Sequence, residues 1–163
     1  MRKITFCIIT LILCLFGINK AGYAQPQNKE AYYAAISSSN LEKINAQLDL
    51  LKSEVSSSKN EAYIGALLMK KAGIVFSPAE KLNLFKSGRN MLEQMIQKDK
   101  DNIEYRFLRV LIQENAPKFL KYQTDLDSDC TFIRNAFKNL PAPLQKIILD
   151  YNKHSKKLNI PES

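Results

Sequence analysis

The chain has 163 residues, of which 45% are apolar and 25% are charged, with a formal net charge of +8 and three cysteines. This composition is ordinary for a soluble globular domain, and it excludes a collagen-like, disulfide-dense or wholly disordered chain and a multi-span membrane protein. The length predicts one domain.

The first 24 residues have the order of a secretory signal peptide. Arg2 and Lys3 precede an uncharged apolar run over residues 4–18, and a polar break then leads to the small residues Gly22 and Ala24. That order predicts cleavage after Ala24. An uncleaved N-terminal anchor is the alternative, but the run is shorter than the roughly 20 residues of a spanning helix. In both cases we expect the rest of the chain to be exported, to the periplasm or the cell exterior.

Cleavage there leaves one predicted domain, residues 25–163. It removes three of the 24 basic residues and none of the 16 acidic ones, so the net charge falls from +8 to +5. It also removes Cys7 and Cys14, which leaves Cys130 alone and excludes an intramolecular disulfide. Folding must therefore depend on a packed core, which a domain of this size is able to bury.

Helical periodicity of apolar residues runs through almost the whole of this domain. The first helix is predicted over Asn28 to Ile36. Ser39 with Glu42 then has the spacing of a capping box, in which each side chain satisfies an orphaned backbone N–H. The helix that it opens carries apolar residues at spacings of three and four, namely Leu41, Ile44, Leu48, Leu51 and Val55.

Two further helices follow. Asn60 is the predicted N-cap of the first, which runs toward Gly73. The predicted apolar face of this helix consists of Ala62, Tyr63, Ala66, Leu67 and Met69. The β-like run over residues 74–76 is too short to found a sheet. The second helix begins at Ser77-Pro78, an N-cap followed by proline at the first helical position. Gly88 lies on its apolar face, where glycine costs roughly 1 kcal/mol relative to alanine, so we expect a neighbouring helix to approach closely there.

Three more helices complete the prediction. Their start signals are, in order, Asp101 with Glu104, Thr124 with Asp127, and Pro141 with Pro143. The first of them covers Ile103 to Glu114, and the last has inward apolar positions as far as Leu158. The predicted fold class is therefore all-α, with six to seven helices in antiparallel hairpins that form an array or a bundle.

The segment from Glu93 to Tyr105 resembles the junction between two tetratricopeptide repeats. A helix ends in a small-or-apolar pair, an Asp and an Asn follow in the turn, and an acidic-aromatic pair opens the next helix. The sequence departs from the family at Met95, where a small residue is expected, and at Lys100, where the turn usually has proline.

The resemblance implies a degenerate array of helical hairpins over about residues 60 to 115. Tyr63 and Tyr105 open comparable helices in it, 42 residues apart, whereas a regular repeat has about 34. Arrays of this family mostly bind proteins or peptides on a concave face, so the resemblance implies a scaffold. The mature chain also resembles exported helical proteins of Bacteroidetes-type bacteria.

The predicted helix over residues 103–114 carries the residues that best indicate a binding site. Its circumference is apolar except for one narrow stripe, formed by Arg106, Arg109 and Gln113, which predicts a central helix. In one hypothesis the stripe lines a groove for a carboxylate or an acidic peptide, with Tyr63 and Tyr105 as its aromatic walls. In the other hypothesis the arginines pair internally, because an unpaired buried charge is very costly. The acids proposed for such pairing are Asp125, Asp127 and Asp129.

Other candidate sites are weaker. The same three aspartates match the first ligand positions of an EF-hand calcium loop, but Cys130 and Ala136 stand where that loop needs glycine and glutamate. Stabilisation of a helix N-terminus is the better account of these acids. His154 is the only histidine and shares a face with apolar residues, which predicts a half-buried packing side chain. Cys130 is predicted to be a buried, unreactive thiol.

The sequence shows no catalytic constellation and no cofactor or metal motif. Its lysines are dispersed, which with export argues against a nucleic-acid partner; a weak attraction to anionic surfaces fits the segment Lys153 to Lys157 best. The leading hypothesis is an exported, non-enzymatic helical protein that contacts a protein or peptide and needs no cofactor. The alternative is a protein that binds a small apolar ligand or the envelope surface.

Overall fold

The computed structural model describes residues 26–161, and the predicted signal peptide therefore lies outside the described residues. Seven α-helices and no strand lie in this range, which confirms the predicted all-α fold. They are α1 Pro26–Ser37, α2 Leu41–Ser53, α3 Ser58–Ala72, α4 Pro78–Lys98, α5 Ile103–Gln113, α6 Leu126–Ala136 and α7 Ala142–Asn152. Single 3-10 turns occur at Lys118–Leu120 and Phe137–Asn139. None of these helices is long and apolar enough to cross a membrane.

The chain divides into two units, residues 1–30 and residues 31–163, and all contacts given below lie within the second. Two helices of this unit, α3 and α5, are buried over most of their surface. The predicted apolar face of α3 is confirmed, because its members are all buried: Ala62, Tyr63, Ala66, Leu67 and Met69. The predicted central position of α5 is confirmed as well.

Four helices begin at a side chain that accepts a hydrogen bond from a backbone N–H three residues later. These N-caps are Asn40 for α2, Ser57 for α3, Ser77 for α4 and Asn102 for α5. The cap predicted at Ser77 is confirmed. The predicted caps that are wrong are Ser39, Asn60, Asp101 and Thr124. Ser, Asn and Asp are nearly equivalent as caps, so local sequence does not decide between two that lie close together.

The stripe predicted for α2 is confirmed only in its centre. Ile44, Leu48 and Leu51 are buried, whereas Leu41 is 36% exposed and Val55 is 90% exposed. Val55 lies outside the helix, because α2 ends at Ser53 and the chain then turns into α3. The side chain of Asn60 closes this turn by donating to Glu54 Oε2 at 3.0 Å and to the Val55 carbonyl at 3.2 Å.

Helices α3 and α4 meet at two glycines, Gly65 and Gly88. A Cβ atom at Gly65 would lie 2.8 Å from the carbonyl oxygen of Gly88, and one at Gly88 would collide with the carbonyl oxygen of Gly65. The close approach predicted at Gly88 is therefore confirmed. Packing of the two backbones offsets the conformational cost of a glycine inside each helix.

The C-terminal segment differs from the prediction. Helix α7 ends at Asn152, and Leu158 is buried from the irregular segment that follows, not from the helix. The Asn152 side chain holds this segment by donating to the Ile160 carbonyl at 3.1 Å and accepting from the Ile160 N–H at 2.9 Å. His154 lies in the turn after α7 and is exposed, so the predicted half-buried position is wrong.

Candidate functional site

Two arginines of α5 share one buried carboxylate. Arg109 Nε lies 2.7 Å from Asp129 Oδ2, and Arg109 Nη2 lies 2.9 Å from Asp129 Oδ1. Arg106 Nη1 donates to the same Oδ1 at 2.8 Å. The spacing of three residues places both arginines on one face of α5, while Asp129 lies in the first turn of α6 and is fully buried. The two arginines therefore clamp the start of α6 onto α5.

The cluster extends from Arg109 to α4. Its remaining nitrogen, Nη1, donates to Glu93 Oε2 at 2.8 Å and lies 3.5 Å from Asp125 Oδ2. The other oxygen of Glu93 accepts a hydrogen bond from Tyr122 Oη at 2.6 Å. Burial acts to lower the pKa of Arg109, but hydrogen bonding and charge at Asp129 outweigh it and raise that pKa. The guanidinium therefore stays charged inside the cluster.

These contacts are the internal pairing of the second hypothesis. Arg109 is only 5% exposed, and each of its three nitrogens bonds to a carboxylate. The Arg106 guanidinium is also held by the Lys100 carbonyl and lies 4.3 Å above the Phe132 ring. A ligand carboxylate would have to displace Asp129 or Glu93 to reach Arg109. The geometry thus gives the arginines a joining role between helices.

Gln113 continues the polar stripe of α5 without joining the cluster. It is 1% exposed, and neither its amide nitrogen nor its amide oxygen has a hydrogen-bond partner within residues 26–161. A buried amide without partners costs folding free energy. The structure therefore places this predicted binding residue inside the core, one turn beyond Arg109.

The two tyrosines predicted as aromatic walls are both buried. Tyr63 is 3% exposed and stacks on Tyr32 at a centroid distance of 4.0 Å, while Tyr105 is 6% exposed. The hydroxyl groups of Tyr63 and Tyr33 both donate to Glu104 Oε1. Burial, followed by the charge of Glu104, raises the pKa of Tyr63 and of Tyr33. These rings belong to the core and line no open groove in the described part of the chain.

The three aspartates at the start of α6 do not converge on one point. Asp129 and Asp125 face Arg109, whereas Asp127 lies 3.1 Å from the Lys157 ammonium. Residues 26–161 contain no cluster of three or more His, Cys, Asp or Glu side chains that could hold a metal ion. Cys130 is buried and free, as predicted, and burial raises the pKa of its thiol to about 11.

Sequence reasoning missed the role of Glu114, which anchors the C-terminal segment. Its carboxylate accepts hydrogen bonds from Tyr151 Oη at 2.6 Å, from Ser155 Oγ at 2.8 Å and from the backbone N–H groups of Lys156 and Lys157. One signal could have revealed it. An acid at a helix C-terminus is disfavoured by the helix dipole, so it needs donors from elsewhere in the fold.

Two surfaces remain outside these internal contacts. The outer face of α4 presents three exposed amides, Asn90, Gln94 and Gln97, beside a shallow open groove of about 410 Å³. The second is the surface of two separate connections between helices, which expose Phe76 at 98% and Phe119 at 80%. Neither surface was singled out in the sequence, because exposed amides and loop phenylalanines fit no binding motif.

Comparisons of this chain with protein-family models, with curated proteins and with solved structures gave no match. The resemblance to tetratricopeptide repeats and to exported Bacteroidetes-type proteins therefore remains a prediction.

Proposed function

We propose that this chain is an exported, non-enzymatic helical protein that contacts a protein or peptide partner. The observation that carries the proposal is the row of exposed amides on α4. Asn90, Gln94 and Gln97 follow one another at spacings of four and three residues, so they lie on one face of the helix. They line the groove together with Glu93 and Lys98.

Amide side chains are suited to contact with a polypeptide. Each carries a donor group and an acceptor oxygen, so it is able to pair with both the N–H and the C=O of a peptide backbone. The groove also has one cation at its edge, Lys98, and one carboxylate, Glu93, which Arg109 and Tyr122 hold in place. Such a surface offers hydrogen bonds to the backbone of an extended peptide. It places few requirements on the side chains of that peptide.

The chemistry of the other polar groups supports a binding role over a catalytic one. The Cys130 thiol is buried, and its pKa of about 11 keeps it protonated at neutral pH, so it is a poor nucleophile. The charged groups of the arginine cluster bond to one another and tie three helices together. The proposal of export depends on residues 1–24, whose order is that of a signal peptide.

The test is affinity capture from an envelope extract with the full chain as bait. The test variant is Asn90→Ala/Gln94→Ala/Gln97→Ala, and alanine keeps the helix because it has the highest helix propensity. The control removes three exposed amides elsewhere, Asn83→Ala/Asn135→Ala/Asn139→Ala. We expect the parent and the control to retain a saturable protein partner that the test variant loses. An empty capture, or a partner that the test variant retains, would contradict the proposal.

A second candidate function is binding to the envelope surface, which the exposed phenylalanines favour. The other part of the same alternative, a small apolar ligand, has less support, because the groove on α4 is open to solvent and does not enclose a ligand.

A further inference from the structure

Two phenylalanine side chains stand in solvent on separate connections of the fold. Phe76 follows α3 directly before the cap of α4 and is 98% exposed. Phe119 is the middle residue of the 3-10 turn Lys118–Leu120 and is 80% exposed. Single exposed apolar residues are common on protein surfaces. Here, however, two phenylalanine rings are almost fully exposed, and both lie on connections that reach the same helix.

Both connections reach helix α4. Phe76 is two residues before the start of α4 at Pro78. The turn that carries Phe119 is fixed by Tyr122, whose ring packs edge-on against Phe85 at 5.6 Å and lies under the Arg89 guanidinium at 4.8 Å. Gln123 closes that turn by donating to the Ala116 carbonyl at 2.8 Å, which leaves Phe119 near its apex.

Basic residues outnumber acidic residues in the two chain segments that carry these rings. Lys81, Lys118 and Lys121 are exposed, and none of them forms an ion pair within residues 26–161. Within residues 75–82 and 115–122 the one acid is Glu80, which lies in the first turn of α4. The two segments together therefore carry three lysines against one acid, a net charge of +2, and the excess lies at Lys118 and Lys121 on either side of Phe119.

We propose that these two connections dock together on an anionic lipid surface through Phe76, Phe119, Lys81, Lys118 and Lys121. The proposal rests on the second candidate function, binding to the envelope surface. Phenylalanine rings insert at the boundary between headgroups and acyl chains, while lysines attract anionic headgroups. Rings that project from turns suit a fluid surface, which closes around them, whereas a protein partner would need pockets of matching shape and spacing.

The expected strength is that of a weak, reversible anchor. Removal of each inserted ring should weaken binding about tenfold or more, which follows from the free energy of burying a phenylalanine side chain. Reversal of each lysine should weaken binding roughly fivefold or more, and added salt should do the same. Dependence on both apolar and basic residues distinguishes such docking from simple charge attraction.

The test measures sedimentation of the full chain with phosphatidylcholine vesicles that contain either no or about one-third phosphatidylglycerol. The test variants are Phe76→Ser/Phe119→Ser and Lys118→Glu/Lys121→Glu. The matched controls are Val55→Ser, at the opposite end of α3, and Lys52→Glu/Lys138→Glu, which change exposed residues elsewhere. All variants are made from the full chain, so any contribution of residues 1–25 is common to them.

We expect the parent and the controls to bind the anionic vesicles, and both test variants to lose about tenfold or more in affinity while keeping the helical circular-dichroism spectrum of the parent. Absence of parent binding, equal losses in test variants and controls, or full binding by Phe76→Ser/Phe119→Ser would each overturn the proposal. Capture of a protein through Phe76 and Phe119 without vesicle binding would replace the lipid with a protein partner. The amide variant of α4 reports separately on the first function, since it alters none of these residues.

Discussion

Arg109 and Asp129 face each other through two hydrogen bonds, 2.7 and 2.9 Å long, in the interior of the protein. Asp129 also accepts from Arg106, so two positive charges meet one carboxylate, and Glu93 supplies a second negative charge on the far side of Arg109. The charges balance only while α4, α5 and α6 are packed together. The arginine cluster therefore joins three helices, and loss of one of its charges should destabilise their packing.

Replacement of Asp129 by Ala should destabilise the protein by about 3–5 kcal/mol, because it leaves two partly or fully buried arginines without their shared carboxylate. Urea unfolding measures the change. The control is Asp127→Ala, whose carboxylate is exposed and faces only Lys157; it should cost no more than about 1 kcal/mol. Similar losses of stability in the two variants would mean that the buried cluster contributes no more to stability than an exposed ion pair does.

Replacement of Gly88 by Ala should destabilise the protein by about 1–3 kcal/mol, although alanine favours a helix, because the new Cβ would collide with the backbone of α3. The control is Ser87→Ala, one residue earlier on the exposed side of α4. It should leave the melting temperature unchanged or raise it slightly. A stabilised Gly88→Ala variant would contradict the close approach at Gly65.

Replacement of Gln113 by Met should stabilise the protein by about 1–3 kcal/mol, because it keeps the side-chain volume and removes a buried amide whose nitrogen and oxygen have no partner in the described part of the chain. Gln145→Met provides the opposite comparison. The Gln145 amide donates to the Phe137 carbonyl at 3.0 Å, so its loss should destabilise. A destabilised Gln113→Met variant would show that the Gln113 amide has a partner in solution.

Stability should fall at alkaline pH. Burial raises the pKa of the Cys130 thiol from 9.0 to about 11, so the folded state favours the protonated thiol. Its contribution is complete below pH 9.0 and is lost as the pH rises toward about 11. The buried tyrosines act in the same direction, since burial also raises the pKa of Tyr63 and Tyr122.

Urea unfolding from neutral pH to about pH 11 checks this dependence, and Cys130→Ala should reduce the part of the fall that begins near pH 9.0. A thiol reagent should label native Cys130 only as fast as the protein opens. Rapid labelling of the folded chain, or stability that rises with pH across this window, would be the contrary result.

Local patterns predicted much of the fold. The apolar spacing on α3, the Ser77-Pro78 start of α4 and the glycine at position 88 each reflect forces that act within one helix or at one contact. Pairing across the chain is different. Arg109 could have paired with any of several acids, and the packing of α6 against α5 selects Asp129. The exposed amides of α4 carry no pattern of their own, because their significance comes from the groove beside them.

The order in which the residues are synthesised determines when the core can be completed. Leu158 and Ile160 are buried, and Asn152 and Glu114 hold the segment that delivers them. While these two side chains are still inside a ribosome, the helices before them lack part of their interior. Native packing is therefore reached only after Ile160 has emerged, so the seven helices of residues 26–161 complete their shared core after all of them have been synthesised.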